Sequence, residues 1–424
     1  MTLLQAAPQC AAVREDGLSR QTGGVSIHGS WTRAAAGAGL LGPSGEVAAT
    51  VFSEMSALAA RTGAINLGQG FPDEDGPEEV LEAARAAITA GLNQYPPGPG
   101  FPVLREAVSA HQRRFYGLEV DPDGEVLVTT GATEALAATM LALLEPGDEV
   151  VTFTPHYDAY GALIALAGGV HRTVPLRGTD FHVDHEELAA AVTDRTRVIL
   201  VNDPHNPTGS VLPAETRELI VRLAHRHDAL IVTDEVYEHL RFDGAHVPIA
   251  TLPGARERTL TVSSAGKTFS TTGWKIGWIS GPRELITAVL AVKQFLTYVS
   301  GSPFQGAVAV GLGLGDSFFH GIASTLERKR DLLSTGLAAA GFTVSPSAGS
   351  YFVVADAAPL GWDDGVAFCR ALPGLAGVVA VPVSAFCTDA DAEAYRSLVR
   401  FAFCKRFEVL DSAAERLAGL ARRG

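Results

Sequence analysis

T-V-S-S-A-G-K-T-F-S-T-T-G-W-K-I-G-W, residues 261–278, is the stretch on which the reading of this chain turns. It sets Lys267 in a run of small residues after an apolar segment, follows it with Phe269, and adds a second cation, Lys275, eight positions on. No acidic residue lies within seven positions of Lys267, so a local salt bridge does not account for it. A lysine amine can condense with an aldehyde, provided its surroundings hold it neutral below its ordinary pKa of about 10.4. A dry pocket or a neighbouring cation does that. The bland alternative is a solvated loop lysine.

Upstream, short apolar strands alternate with helical segments, and several strands end in polar residues. V-I-L-V-N runs into D-P-H-N-P-T-G, with Asn206 between prolines that rule out a helix. A-L-I-V-T runs into D-E-V-Y, bringing Asp234 and Tyr237 together just past the strand, and T-P-H-Y-D places Tyr157 at a third such end. E-V-L-V-T-T leads into G-A-T-E-A-L, residues 131–136, a strand, a small-residue turn and a helix start. Such a turn offers backbone amides and a helix dipole to a phosphate. The alternation predicts an α/β fold, a largely parallel sheet covered by helices with its ligand at the carboxyl ends of the strands.

The chain has 424 residues, 47% apolar and 19% charged, which is ample for a core and argues against disorder. A formal charge of -14 speaks against a nucleic acid or an anionic membrane as partner. Four cysteines without C-x-x-C spacing signal neither a metal site nor a disulfide framework. The longest uncharged run, residues 371–388, is broken by Pro373 and Pro382 and reads as a loop and a buried strand, not a membrane span. The N-terminus has no secretory signal, and a cytoplasmic location is expected.

Four segments are predicted. Residues 1–45, rich in Ala, Gly and Ser, read as a mobile extension; 46–78 open with an amphipathic helix from Glu46 to Arg61 and form the first part of a small domain. Residues 79–302 carry the alternating strands and helices of a large domain, and 303–424 complete the small one. I-N-L-G-Q-G-F-P-D, residues 65–73, suggests a tight backbone path around Gly70. N-Q-Y-P-P-G-P-G, residues 93–100, holds Tyr95 in a stiff loop. S-L-V-R-F-A-F-C-K puts Arg400 in an apolar strand, where a guanidinium needs an anion.

Together, P-H-N-P-T-G, T-D-E-V-Y, S-A-G-K-T-F with G-W-K-I-G-W, and R-F-A-F-C-K resemble the fold-type-I, class I/II pyridoxal-phosphate-dependent aminotransferases, in that family's order from about Glu46 onward. The 65–73, 93–100, D-E-V-Y-E-H-L and Y-F-V stretches are most similar to the subgroup of kynurenine/glutamine, methionine and actinobacterial N-succinyldiaminopimelate aminotransferases. The resemblance implies a large domain with a mostly parallel seven-stranded sheet, a smaller α+β domain, and pyridoxal 5'-phosphate as cofactor.

Carried over position by position, it implies that Lys267 condenses with the cofactor aldehyde and then moves the proton as general acid and base. Asp234 would bind the ring nitrogen, Asn206 and Tyr237 the phenolic oxygen, and Tyr157 the ring face. The amides of Ala132 and Thr133, the Ser264 hydroxyl and the Lys275 ammonium would hold the phosphate, with Tyr95 reaching the phosphate of the other subunit in an obligatory homodimer. Arg400 would clamp the substrate carboxylate beside Gly70 and Asn206. Lys275 stands where many aspartate-type relatives have arginine, and Thr133 and His156 stand where kynurenine-type relatives commonly have aromatics, which argues against a bulky aromatic substrate.

The activity implied is ping-pong transfer of an amino group between an L-amino acid and a 2-oxo acid through pyridoxamine phosphate. A cysteine-conjugate β-lyase or an amino-acid oxidase of the same fold remains open at this point. A cofactor-binding regulator domain is remote, because the upstream segment has no helix-turn-helix pattern.

Overall fold

The computed structural model describes residues 29–42 and 44–420. Its centre is an eight-stranded sheet. In spatial order the strands are Val126–Thr129, Gly277–Ser280, Thr259–Ser264, Leu230–Asp234, Thr196–Asn202, Glu149–Thr154, Val170–Arg177 and His182–Val183. The neighbours from Thr259–Ser264 through Val170–Arg177 pair in parallel. Gly277–Ser280 runs antiparallel to both of its neighbours. The eighth strand, absent from the seven expected, is the two-residue edge piece His182–Val183. It is too short to carry a periodic signal.

Why these strands sit inside follows from their composition. Val126–Thr129, Glu149–Thr154 and Thr259–Ser264 are buried at every position, as strands covered on both faces must be. Leu127, Val150, Val198, Leu200, Val232 and Leu260 pack in one cluster with Leu136 and Met140 of the helix Gly131–Leu143. Each such side chain contributes roughly 1.5–3 kcal/mol on burial. A second layer holds a four-stranded antiparallel sheet in the order Thr343–Val344, Phe352–Asp356, Leu398–Ala402, Val381–Pro382. Beside it Ile65–Asn66 pairs in parallel with Val378–Val379, so a segment early in the chain is held by one near its end.

Three local expectations change. The first long helix begins at Val51 and not at Glu46, because the Thr50 hydroxyl accepts the Ser53 amide as a cap, while Leu41 and Val47 form an antiparallel bridge. Within the segment expected to lack regular structure, Trp31–Gly37 is helical and lies on the helix Ala159–Leu166, with the Arg33 guanidinium donating to the Ala165 carbonyl. The rest of the expected extension, residues 1–28, lies outside the described residues. Pro373 sits inside the helix Gly365–Ala376 instead of a loop. Among the described residues no single helix is long and apolar enough to cross a membrane.

One contact ties this sheet to what lies at its edge. A Cβ on Gly277 would fall 2.7 Å from the Gly131 carbonyl carbon and 2.9 Å from the Ala132 nitrogen, so only glycine lets the strand lie this close to the helix start. Gly277→Ala should therefore cost about 1–3 kcal/mol by overpacking and push the start of the helix Gly131–Leu143 outward. Thermal denaturation checks it; a melting temperature equal to that of the parent would show the approach to be looser.

Candidate active site

At the carboxyl ends of the parallel strands lies a cavity of about 200 Å³. Several strands contribute their terminal residues or those just after them. Asp234 ends Leu230–Asp234 and Tyr237 follows in the next turn; Ser264 ends Thr259–Ser264, and Lys267 lies in the single helical turn Ala265–Thr268 after it. These four, together with Ala132, Thr133, Tyr157, Asn206 and Lys275, all line the cavity, so nine of the expected residues come together.

The electrostatics follow from burial. The Asp234 carboxylate is buried, and desolvation pushes it up to about 6 despite the hydrogen bond its Oδ2 accepts from the Tyr160 hydroxyl at 2.7 Å. Desolvation pulls the Lys267 amine down to about 8, more than the opposing attraction of Asp234 raises it. The Lys267 amine donates to the Tyr351 hydroxyl at 2.8 Å and more distantly, at 3.5 Å, to the Gly70 carbonyl, which also accepts from Tyr351. Gly70 thus meets the lysine through its carbonyl and does not line the cavity.

The helix Gly131–Leu143 starts at the cavity, which Gly131, Ala132 and Thr133 line; the Thr130 side chain does not cap it, and Glu134 accepts only the Thr130 amide just ahead of it. Gly131 has φ +70, and a Cβ there would crowd Lys275 Nζ at 3.3 Å. Lys275 itself is left-handed, at φ +55, which turns its side chain toward the same point. Free amides at a helix start beside an ammonium form a place for an anion of phosphate chemistry. A buried carboxylate, an amine whose pKa burial has lowered and an anion cradle on one cavity are the donor set that pyridoxal 5'-phosphate requires, so the residues present fit that group.

Besides Gly70, two expected residues lie off the cavity. Arg400 is 2% exposed in the strand Leu398–Ala402, and its Nη1 donates to Asn206 Oδ1 at 2.9 Å while Nη2 donates to the Gly68 carbonyl at 2.8 Å. Its Nε has no partner among the described residues, and the guanidinium lies 4.0 Å from the centre of the Phe352 ring and 4.5 Å from that of Phe386. Burial lowers it to about 10, still cationic at neutral pH. Tyr95 is 81% exposed, against the Tyr298 ring, and does not line this cavity.

The structure also adds groups that sequence reading missed. Tyr160 reaches Asp234 from the helix Ala159–Leu166; Asn202 donates to the Asp234 carbonyl and accepts from the Asn206 amide, bracing both loops. His156, buried and pulled down to about 3, is neutral and packs against the His171 ring. Away from the cavity, His111, Glu238 and His239 cluster, but the two imidazoles hydrogen-bond each other and both Glu238 oxygens accept from Tyr116 and Ser263. His111 Nδ1 in that group is buried without a hydrogen-bond partner among the described residues, and the group reads as a buried polar network.

A mostly parallel sheet with a lysine, a carboxylate and a helix start converging at its carboxyl edge defines a group-transfer enzyme of the fold-type-I class. The chain belongs to the aminotransferase class I and II family, which matches residues 62–417. It is 53% identical over 385 residues to the probable N-succinyldiaminopimelate aminotransferase DapC of Mycobacterium tuberculosis, covering 89% of this chain and 97% of that one. The solved structure of the N-succinyldiaminopimelate aminotransferase of that organism superposes with a TM-score of 0.86, over 88% of this chain and 97% of the other. The methionine aminotransferase of Escherichia coli is 38% identical over 376 residues, 88% of this chain and 97% of the relative. The protein is an aminotransferase, and amino-group transfer is favoured over elimination or oxidation. Members of this family depend on pyridoxal phosphate.

If burial sets the Lys267 amine as described, acylation of that one lysine by a water-soluble ester should rise with pH around a midpoint near 8. In the urea-denatured chain the same lysine should titrate near about 10.4. Peptide mass spectrometry across pH ~6–11, from about two units below the lower midpoint to about half a unit above the upper, reads both; an unchanged midpoint on unfolding would refute the desolvation.

Proposed function

We propose that the enzyme holds pyridoxal 5'-phosphate in this cavity and moves the amino group of an N-succinyldiaminopimelate-type L-amino acid to and from a 2-oxo acid, by a ping-pong mechanism. The convergence of Lys267, Asp234 and the uncapped helix start on one cavity carries the cofactor reading. The identity with the mycobacterial relative, over nearly its whole length, supports the substrate class. Thr133 and the neutral His156, in place of aromatics, support a polar, extended substrate over a bulky aromatic one.

When bound, the cofactor supplies an aldehyde that takes up amines and a ring that draws electrons from the substrate α-carbon. Asp234 would hold the ring nitrogen protonated, with Tyr160 orienting the carboxylate. Asn206 and Tyr237 would hydrogen-bond the phenolic oxygen, and Tyr157 would cover the ring face. The Ala132 and Thr133 amides, Ser264 and Lys275 would hold the phosphate. Lys267 Nζ, its hold on a proton weakened by burial, would take and return the proton at the substrate α-carbon. Arg400, whose Nε is unpartnered among the described residues, would bind the α-carboxylate beside Asn206 and Gly70.

The same reading makes residues 46–78 and 303–424 a small domain against 79–302, supported by the pairing of Ile65–Asn66 with Val378–Val379. It makes the protein a cytosolic homodimer in which the exposed Tyr95, stiffened by its prolines, reaches the partner's phosphate.

A donor and acceptor screen tests the substrate class. N-succinyldiaminopimelate and glutamate should exceed kynurenine, glutamine, methionine and arginine in kcat/KM by about tenfold or more; preference for kynurenine or methionine would overturn it. Asp234→Asn should retain cofactor yet lose about a hundredfold or more in kcat, since an amide cannot hold the ring nitrogen protonated. Near-normal turnover would remove Asp234 from its role.

A further inference from the structure

Lys267 lines two cavities at once. One is the cavity above; the second, of about 330 Å³, lies behind it among Pro72, Glu74, Phe318, Lys329, Tyr351 and Cys404. The side chain of Lys267 therefore borders space in both. Tyr351 stands at that boundary, 1% exposed, and its ring meets those of Tyr237 at 5.2 Å and Phe352 at 4.8 Å, which leaves the hydroxyl little freedom. That hydroxyl donates to the Gly70 carbonyl, so its lone pairs are turned to the Lys267 amine 2.8 Å away.

We infer that Tyr351 is a positioning residue for Lys267: its phenolic oxygen accepts a proton-bearing N–H of the amine and holds it at the boundary whenever the amine is not bonded to the cofactor. This rests on the assignment of Lys267 proposed above. The acceptor is neutral, since burial pushes the Tyr351 phenol well up, so it orients the amine without adding a negative charge that would hold the proton too firmly. A carboxylate in the same place would do the opposite. The charged and titratable groups that act on the amine are Cys404, Asp234, Arg400 and Lys275. The Tyr237 ring also lies close, its centre 5.8 Å from the amine. Tyr351, with Gly70 behind it, is the partner the amine hydrogen-bonds among the described residues.

The test is the pH profile of Lys267 acylation in the full-length protein freed of cofactor, repeated with pyridoxamine phosphate bound, which leaves the lysine amine unbonded. Tyr351→Phe removes the acceptor and keeps the ring; the Lys267 midpoint should fall by about one unit, because the ammonium loses a hydrogen bond the neutral amine needs less. Tyr351→Gln, with an acceptor and a donor at its tip, should stay within about half a unit of the parent. In the loaded enzyme Tyr351→Phe should lower kcat about tenfold and leave the KM for the amino acid unchanged. An unmoved midpoint in Tyr351→Phe, or an equal fall in both variants, would overturn the inference in favour of simple packing; far-ultraviolet circular dichroism and melting confirm that each variant is folded. Borohydride reduction separates this from the reading beneath it: a cofactor adduct on another lysine would sink the assignment of Lys267, while the acylation profile of the cofactor-free chain would stand.

Discussion

The return of Gly277–Ser280 between Val126–Thr129 and Thr259–Ser264 is the constraint on which the site depends. It is the antiparallel intruder in an otherwise parallel run, and it brings the loop carrying Lys267 and Lys275 back against the start of the helix Gly131–Leu143. The approach is close enough that a methyl group on Gly277 would overlap backbone. With that register go the left-handed Lys275 beside Gly131 and Ser264 paired with Gly277 on the cavity that the helix start also lines. Parallel strands alone would open a crevice at their carboxyl ends; this strand closes one side of it with cations.

How much of this could be read beforehand depended on where each residue's reason for being there lay. Asp234, Tyr237, Asn206 and Tyr157 interrupt apolar strands with polar residues followed by proline or turn chemistry, a signal local to a few positions. Lys267 and Lys275 share one short stretch. Tyr160 gave no such sign: within A-Y-G-A-L-I-A-L it looks like ordinary core, and its meaning comes from Asp234, 74 positions away. Tyr351 was visible as part of Y-F-V, but its partner Lys267 is separated from it by 84 positions. The helix Trp31–Gly37 escaped for a related reason, since what holds it is the apposed backbone of Gly161, against which a Cβ on Gly37 would clash at 2.3 Å. Pairings of that range exist only once the topology does.

The interior charges give the arrangement its character. Among the charged groups buried in a chain of formal charge -14, Lys267, Arg400 and Asp234 are each driven toward the neutral form by desolvation. Ion pairs do not relieve this fully: Asp234 accepts from a neutral tyrosine, Lys267 donates to another, and Arg400 donates to an amide and a carbonyl. Neutral partners orient a charge without cancelling it, which is what a site that must receive other charges needs.

That choice has a thermodynamic sign. Asp234 is raised from 3.8 to about 6, so between those values the folded chain binds the proton more readily, and stability falls as pH rises through the window. Lys267 is lowered from 10.5 to about 8, so stability falls as pH drops through that window. Between about 6 and 8 both groups are charged and both penalties are present together. A ligand that brings a proton donor to Asp234 and an electrophilic carbon to Lys267 removes both at one stroke, so its binding energy is drawn in part from strain the fold already carries. The neutral range in which the chain alone is most opposed is then the range in which such a ligand stabilises it most.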